Sequence, residues 1–110
     1  GVCVAEKSSE KRENLRTTLP EVKIFSSAEE AIKLDEVNAV IIATETPSHY
    51  KLAKKALESG KHVLVEKPIT TSLAEAEELV AIAKKKELIL MVDHVFLYHP
   101  VVTKIKEYFS

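Results

Sequence analysis

The sequence predicts an α/β domain, a doubly wound parallel sheet of five strands with helices on both faces. Short apolar runs alternate with amphipathic segments along all 110 residues. Two of those runs, residues 40–43 and 88–92, are continuous rather than alternating, as strands covered on both faces require. Capping residues sit between the segments at spacings that start and stop helices. Short strand-to-helix connections of this kind imply right-handed crossovers and parallel pairing.

The elements follow in order. Residues 1–5 (Gly-Val-Cys-Val-Ala) read as a first strand, and the polar residues 7–18 as a helix closed off before Pro20. Residues 22–25 form a second strand. Ser27 and Glu30 have the spacing in which each side chain satisfies the other's free amide, which predicts a short helix through Leu34. Residues 40–43 (Val-Ile-Ile-Ala) are the central strand. Thr46 is expected to cap the next helix, with Pro47 at its first position, where a missing N–H costs nothing. His49, Leu52, Ala53, Ala56 and Leu57 share one face of that helix, and Gly60 supplies a left-handed stop. Residues 63–65 are the fourth strand. Ser72 and Glu75 repeat the capping spacing before a helix that carries Ala76, Leu79, Val80 and Ala83 on one face and ends in three lysines. Residues 88–92 are the fifth strand, and Pro100 opens a last helix with an apolar stripe of Val101, Val102, Ile105 and Phe109.

Composition narrows the function classes. Sixteen basic residues against 17 acidic ones leave a net charge of −1, without the basic surplus that binding a nucleic-acid backbone requires. No apolar run approaches the length of a membrane span. The single cysteine, Cys3, has no partner for an intrachain disulfide, which fits a reducing compartment, so a cytoplasmic location is expected. His49, His62, His94 and His99 do not form a metal-binding spacing, and no metal site is expected. One domain over residues 1–110 is expected, without internal repeat or linker.

In open parallel sheets ligands bind beyond the carboxyl ends of the strands. Those positions hold Glu6, the loop 44–49, the run Glu66-Lys67-Pro68, and Asp93 with His94. The helix start at Thr46 and Pro47 offers free amides to an anionic oxygen. Glu6 is the strand-end acid of the first strand, with Lys7, Lys11 and Arg12 close to it in sequence.

The run 60–68 (Gly-Lys-His-Val-Leu-Val-Glu-Lys-Pro), the loop Thr46-Pro47-Ser48-His49 and the pair His94 and His99-Pro100 resemble the dinucleotide-binding domain of the glucose-fructose oxidoreductase, inositol dehydrogenase and MocA family (Gfo/Idh/MocA). The resemblance implies a Rossmann-type fold and an NAD(P)-dependent oxidoreductase. Such an enzyme passes a hydride between the nicotinamide and a hydroxyl-bearing carbon of a sugar, nucleotide sugar or polyol. It implies Lys67 beside the nicotinamide as a catalytic residue, with His94 near the substrate. Glu66, Lys67, Pro68, Thr44, Thr46, Pro47 and His49 would contact the cofactor, with Glu6 at its ribose. The resemblance implies NAD as cofactor, since a carboxylate at Glu6 would repel the extra phosphate of NADP, with NADP as the alternative because Lys7, Lys11 and Arg12 lie close in sequence.

The family's opening strand and glycine-rich turn are not among these residues, whose only glycines are Gly1 and Gly60, and neither is its substrate-binding domain. The chain is therefore expected to be an incomplete Rossmann unit, inactive alone. Its strands are expected to close into the flavodoxin-like order 2-1-3-4-5, with residues 1–5 paired to residues 40–43. Asp93, Leu97 and His99 depart from residues common in the family and leave the substrate open. Val101, Val102, Ile105 and Phe109 are expected to meet a second copy or a further domain. The competing reading is a non-catalytic, flavodoxin-like binding or regulatory module.

Overall fold

The computed structural model describes residues 2–100, and the chain divides into two compact units between residues 37 and 38. The expected last helix, with its stripe of Val101, Val102, Ile105 and Phe109, lies outside the described residues.

The first unit contains β1 (Cys3–Ala5), α1 (Ser9–Thr18), β2 (Lys23–Phe25) and α2 (Ala28–Ile32). β1 and β2 pair in parallel, with Cys3 opposite Lys23 and Ala5 opposite Phe25. Ser8 caps α1 by accepting the Lys11 amide at 3.3 Å, and no residue of this polar helix is buried. Ser27 stands at the N-cap of α2 with extended backbone, but its side chain makes no capping bond. The expected exchange with Glu30 fails because a five-residue helix places Glu30 within two residues of its end. Burial of Ile32 anchors the helix instead.

The second unit contains β3 (Ala39–Ile42), α3 (Thr46–Glu58), β4 (His62–Val65), α4 (Leu73–Lys86), β5 (Leu90–Val92) and β6 (Val95–Tyr98). β3, β4 and β5 are parallel neighbours in that order. α3 and α4 pack on each other, as two successive right-handed crossovers to one face require. Between them and the sheet lies a core of Ile42, Ala53, Ala56, Leu57, Val63, Val65, Leu79, Ala83 and Leu90.

Three expectations are corrected. The expected pairing of residues 1–5 with residues 40–43 is not found among the described residues, whose strands form a two-stranded sheet, β1-β2, and a four-stranded sheet, β3-β4-β5-β6. The order 2-1-3-4-5 survives only as its parts 2-1 and 3-4-5. β3 is not covered on both faces, since Ile41 is 73% exposed while its neighbour Ile42 is buried. The parallel series also ends at β5, where the chain reverses into the antiparallel β6 through Asp93 and His94. Asp93 takes the left-handed conformation, φ 44°, which aspartate tolerates better than most residues.

Both long helices end alike. At the end of α3, Gly60 at φ 78° donates to the Leu57 carbonyl and Lys61 to that of Ala56, the paired bonds that satisfy otherwise free carbonyls. At the end of α4 the same bonds run from Glu87 to Lys84 and from Leu88 to Ala83, but the left-handed residue is Glu87. Two expected caps are altered. The N-cap of α3 is Glu45 rather than Thr46, with no side-chain capping bond and Pro47 in the first turn. Ser72 accepts the Glu75 amide as expected, but the Glu75 carboxylate turns to the Thr70 hydroxyl at 2.7 Å.

A half-buried polar cluster links α3 to α4. Tyr50 donates to Glu78 Oε2 at 2.7 Å and Lys54 Nζ lies 2.7 Å from Glu78 Oε1. The Lys54 ammonium, followed by the Tyr50 hydroxyl, holds the Glu78 carboxyl below its ordinary range. Glu78 in turn raises Lys54 and Tyr50. A depressed carboxyl contributes stability above its unfolded value, and that contribution disappears as pH falls through the folded one.

Three outcomes follow from this packing. Leu79→Ala, at a fully buried position, lowers stability in urea unfolding by about 2–5 kcal/mol. Glu87→Gly removes a left-handed penalty and raises stability by about 1 kcal/mol in the same assay. Glu78→Gln flattens the loss of melting temperature below about pH 4.5, where the native chain gives up this ion pair.

Candidate functional site

The parallel register places the expected site residues of the second unit together. Ile42 pairs with Val65 and Val65 with Val92, so β3, β4 and β5 finish side by side. The ladder continues one step further, with the Glu66 amide on the Ile42 carbonyl at 3.0 Å and the Asp93 amide on the Val65 carbonyl at 3.1 Å. The loop leading into α3, the turn Glu66-Lys67-Pro68 and the hairpin tip Asp93-His94 therefore share one end of the sheet.

Lys67 is exposed and makes no hydrogen bond or ion pair among the described residues. Its peptide bond to Pro68 is cis. Glu66 and Pro68 beside it are exposed as well. His94, at the hairpin tip, has its side chain 95% exposed, with Nε2 3.6 Å from Asp93 Oδ1.

Loop 44–48 has an ordered hydroxyl relay that sequence reading did not anticipate. Ser48 Oγ donates to the Glu45 carbonyl at 2.8 Å, and Thr44 Oγ1 lies 2.5 Å from Ser48 Oγ. Because the single Ser48 hydrogen is spent on Glu45, Thr44 is the donor in that second bond. Thr44 therefore offers a bound molecule only lone pairs. Pro47 is exposed and Thr46 half-buried in the first turn of α3. The position of Ser48 one turn after Thr44 was the signal available for this relay.

His49 behaves differently from its expected companions. It is 1% exposed, and both ring nitrogens face backbone carbonyls, Nε2 to Thr44 and Nδ1 to Pro68, at 2.8 Å each. The ring joins the loop before α3 to the turn that carries Lys67. A second histidine with a structural part is His62, whose Nδ1 accepts the Ile89 amide at 3.0 Å and links the starts of β4 and β5.

Glu6 belongs to the first unit, at the carboxyl end of β1, where its amide donates to the Phe25 carbonyl. Its Oε2 accepts the Ser8 amide at 3.2 Å. Arg12 Nη1 donates to the carbonyls of Glu6 and Lys7 at 2.9 and 2.7 Å, so this guanidinium braces the backbone around the acid.

The polar groups of the second unit fit part of a dinucleotide. An unpaired ammonium, a hydroxyl acceptor and an open helix start suit a ribose and a nicotinamide carboxamide. Among the described residues the only glycine is Gly60, at the opposite end of α3 from this site, so no glycine-bare turn for a pyrophosphate is present. No group of three or more potential metal ligands occurs among the described residues, and no helix there is long and apolar enough to cross a membrane.

Known proteins similar to this chain are oxidoreductases. The chain is 42% identical over 69 residues to the dTDP-3,4-didehydro-2,6-dideoxy-alpha-D-glucose 3-reductase of Actinomadura kijaniata, covering 63% of this chain and 21% of that protein. It is 36% identical over 74 residues to the UDP-N-acetylglucosamine 3-dehydrogenase of Acidithiobacillus ferrooxidans, 67% of this chain and 24% of that one. A crystal structure of KijD10, a 3-ketoreductase from Actinomadura kijaniata in complex with NADP and TDP-benzene, superposes with a TM-score of 0.76 at 28% identity, covering 98% of this chain and 33% of that chain. The chain thus spans about a fifth to a quarter of the length of these curated relatives. The model of the Gfo/Idh/MocA oxidoreductase family, NAD-binding Rossmann fold, matches residues 1–94, and the chain belongs to that family.

Proposed function

We propose that this chain supplies the nicotinamide-facing part of an NAD(P)-dependent oxidoreductase acting on a hydroxyl-bearing carbon of a sugar, nucleotide sugar or polyol. The observation that carries the reading is Lys67, an exposed ammonium without a partner among the described residues, at the sheet end where a Rossmann fold binds its ligand. When bound, the nicotinamide supplies or accepts the hydride. Lys67 handles the proton: in reduction its ammonium donates to the oxygen that gains negative charge, and in oxidation the amine takes the hydroxyl proton.

The remaining residues orient and select. Thr44, restricted to accepting, meets a carboxamide N–H or a ribose hydroxyl, and Thr46 and Pro47 shape the helix start beside it. Glu66 and Pro68 border the cofactor next to Lys67, and His94, open at the hairpin tip, faces the substrate hydroxyls. In the first unit, Glu6 takes ribose hydroxyls and its charge disfavours the extra phosphate of NADP, so NAD is the preferred cofactor. The sugar-nucleotide names of the two curated relatives support a sugar-like substrate.

Titration of the isotope-labelled 110-residue chain with NADH tests the reading. Amide shifts are expected at Thr44, Thr46, Ser48 and Lys67, with weak affinity because the phosphate-binding glycines are not among these residues. Lys67→Met should weaken binding by up to about fivefold, the range of an exposed charge contact. Unchanged spectra at 10 mM NADH, about ten times the upper end of usual KM values, would remove the proposal.

A further inference from the structure

We infer that Arg12 is a positioning residue that sets cofactor specificity: it holds the peptide plane between Lys7 and Ser8, which orders the Glu6 carboxylate for a ribose diol and against the extra phosphate of NADP. The inference rests on the reading of Glu6 as the ribose acid. Three hydrogen bonds carry it. Arg12 Nη1 donates to the carbonyls of Glu6 at 2.9 Å and of Lys7 at 2.7 Å, and the Ser8 amide donates to Glu6 Oε2 at 3.2 Å. The Lys7 carbonyl and the Ser8 amide belong to one planar peptide unit, and in the trans form they point in opposite directions. The guanidinium therefore grips one edge of a plate whose other edge holds the carboxylate. Each bond also polarises the next, since a carbonyl that accepts from a cation makes the amide of its own peptide a better donor.

The helix does not account for a cation at this place. α1 begins at Ser9, and in a first helical turn the dipole disfavours positive charge. Nor do the two charged groups neutralise each other. Among the described residues no ion pair joins Arg12 to Glu6, and Oε1 of Glu6 makes no hydrogen bond. Direct pairing would have spent the carboxylate on the guanidinium, whereas here Oε1 stays open to accept from a ribose hydroxyl. Arginine has five N–H donors, and both hydrogens of Nη1 are engaged by backbone. A phosphate would find only the rest of the fork, in the same turn as a carboxylate that repels it. Lys7 and Lys11 are exposed and held by no side-chain contact among the described residues, so their flexible ammonium groups discriminate little.

Titration of the isotope-labelled 110-residue chain with NADH and with NADPH, which differ only in the 2′-phosphate, reads the preference at the amides of Glu6, Lys7 and Ser8. NADH should bind about threefold more tightly, the scale of one exposed charge contact. A native chain that takes NADPH equally well or better overturns the inference. Arg12→Met should bring the ratio close to unity by weakening NADH. Arg12→Lys, which keeps the charge but not the planar fork, should do the same. Selective weakening of NADPH in either variant would make Arg12 a phosphate ligand and overturn the role, and so would a ratio that stays at its native value.

No residue of α1 is buried, so neither substitution opens a cavity, and each variant decides the matter without the other. The native chain supplies an independent reading. The Nη hydrogens of Arg12, assigned through its side-chain carbons, should exchange slowly and keep their shifts when NADPH is added. Rapidly averaged signals, or a shift induced by the phosphate, overturn the inference. A chain whose amides respond to neither dinucleotide refutes the proposed function and this role with it, whereas one that binds both, with a ratio unmoved by substitution, refutes the role alone.

Discussion

Parallel pairing of β3 with β4 is the constraint on which the site depends. Its register aligns Ile42 with Val65, so the two chain segments that leave those strands emerge next to each other although more than twenty residues separate them in sequence. The loop before α3 and the turn Glu66-Lys67-Pro68 inherit their positions from that alignment, and His94 follows from the pairing of β4 with β5. A shift of one residue would turn Val63 and Val65 from the helix-packed face to the other, so the buried core and the polar end are specified together. Helix packing thus selects the register, and the register assembles the chemistry.

The sequence showed most of the architecture because its signals were local. Gly60 had to be where the chain turns left-handed, Ser72 had a cap to make, and the continuous apolar run 63–65 had only a buried strand available to it. What escaped notice depended on partners distant in the chain or on residues in unusual roles. β6 has no counterpart in the sequence reading, because its turn uses Asp93 in a left-handed conformation without a following glycine. Ser27 had the right spacing for a cap, but its helix was too short to use it. Ile41 sits in a run that read as doubly buried, yet only its alternate neighbours face α3 and α4. Which face lacks cover is a tertiary fact that no run of β-branched residues encodes.

The same contrast holds for the site. Glu66-Lys67-Pro68 and the threonines at the start of α3 stood out because a strand end and a helix start are recognisable in a string of letters. The part played by His49 was not, because its partners are backbone carbonyls, which every residue possesses and no side-chain pattern reveals. Its grouping with Thr44, Thr46 and Pro47 was correct as to neighbourhood. In the structure its ring nitrogens are engaged by the protein itself, so it organises the groups around it. The relay from Thr44 through Ser48 to the Glu45 carbonyl is a comparable case, since a hydroxyl's direction follows from counting hydrogens along the relay.

Among the described residues, β3 ends its sheet: it pairs with β4 alone, and Ile41 on its outer face is 73% exposed. The segment Ala39–Ile42 carries no charge, no proline and no bulge, the devices by which strand borders usually resist unwanted partners. In concentrated solution the 110-residue chain would therefore be prone to intermolecular strand addition at this border. A lysine substituted for Ile41 would act as a gatekeeper against such assembly without entering the hydrophobic interior.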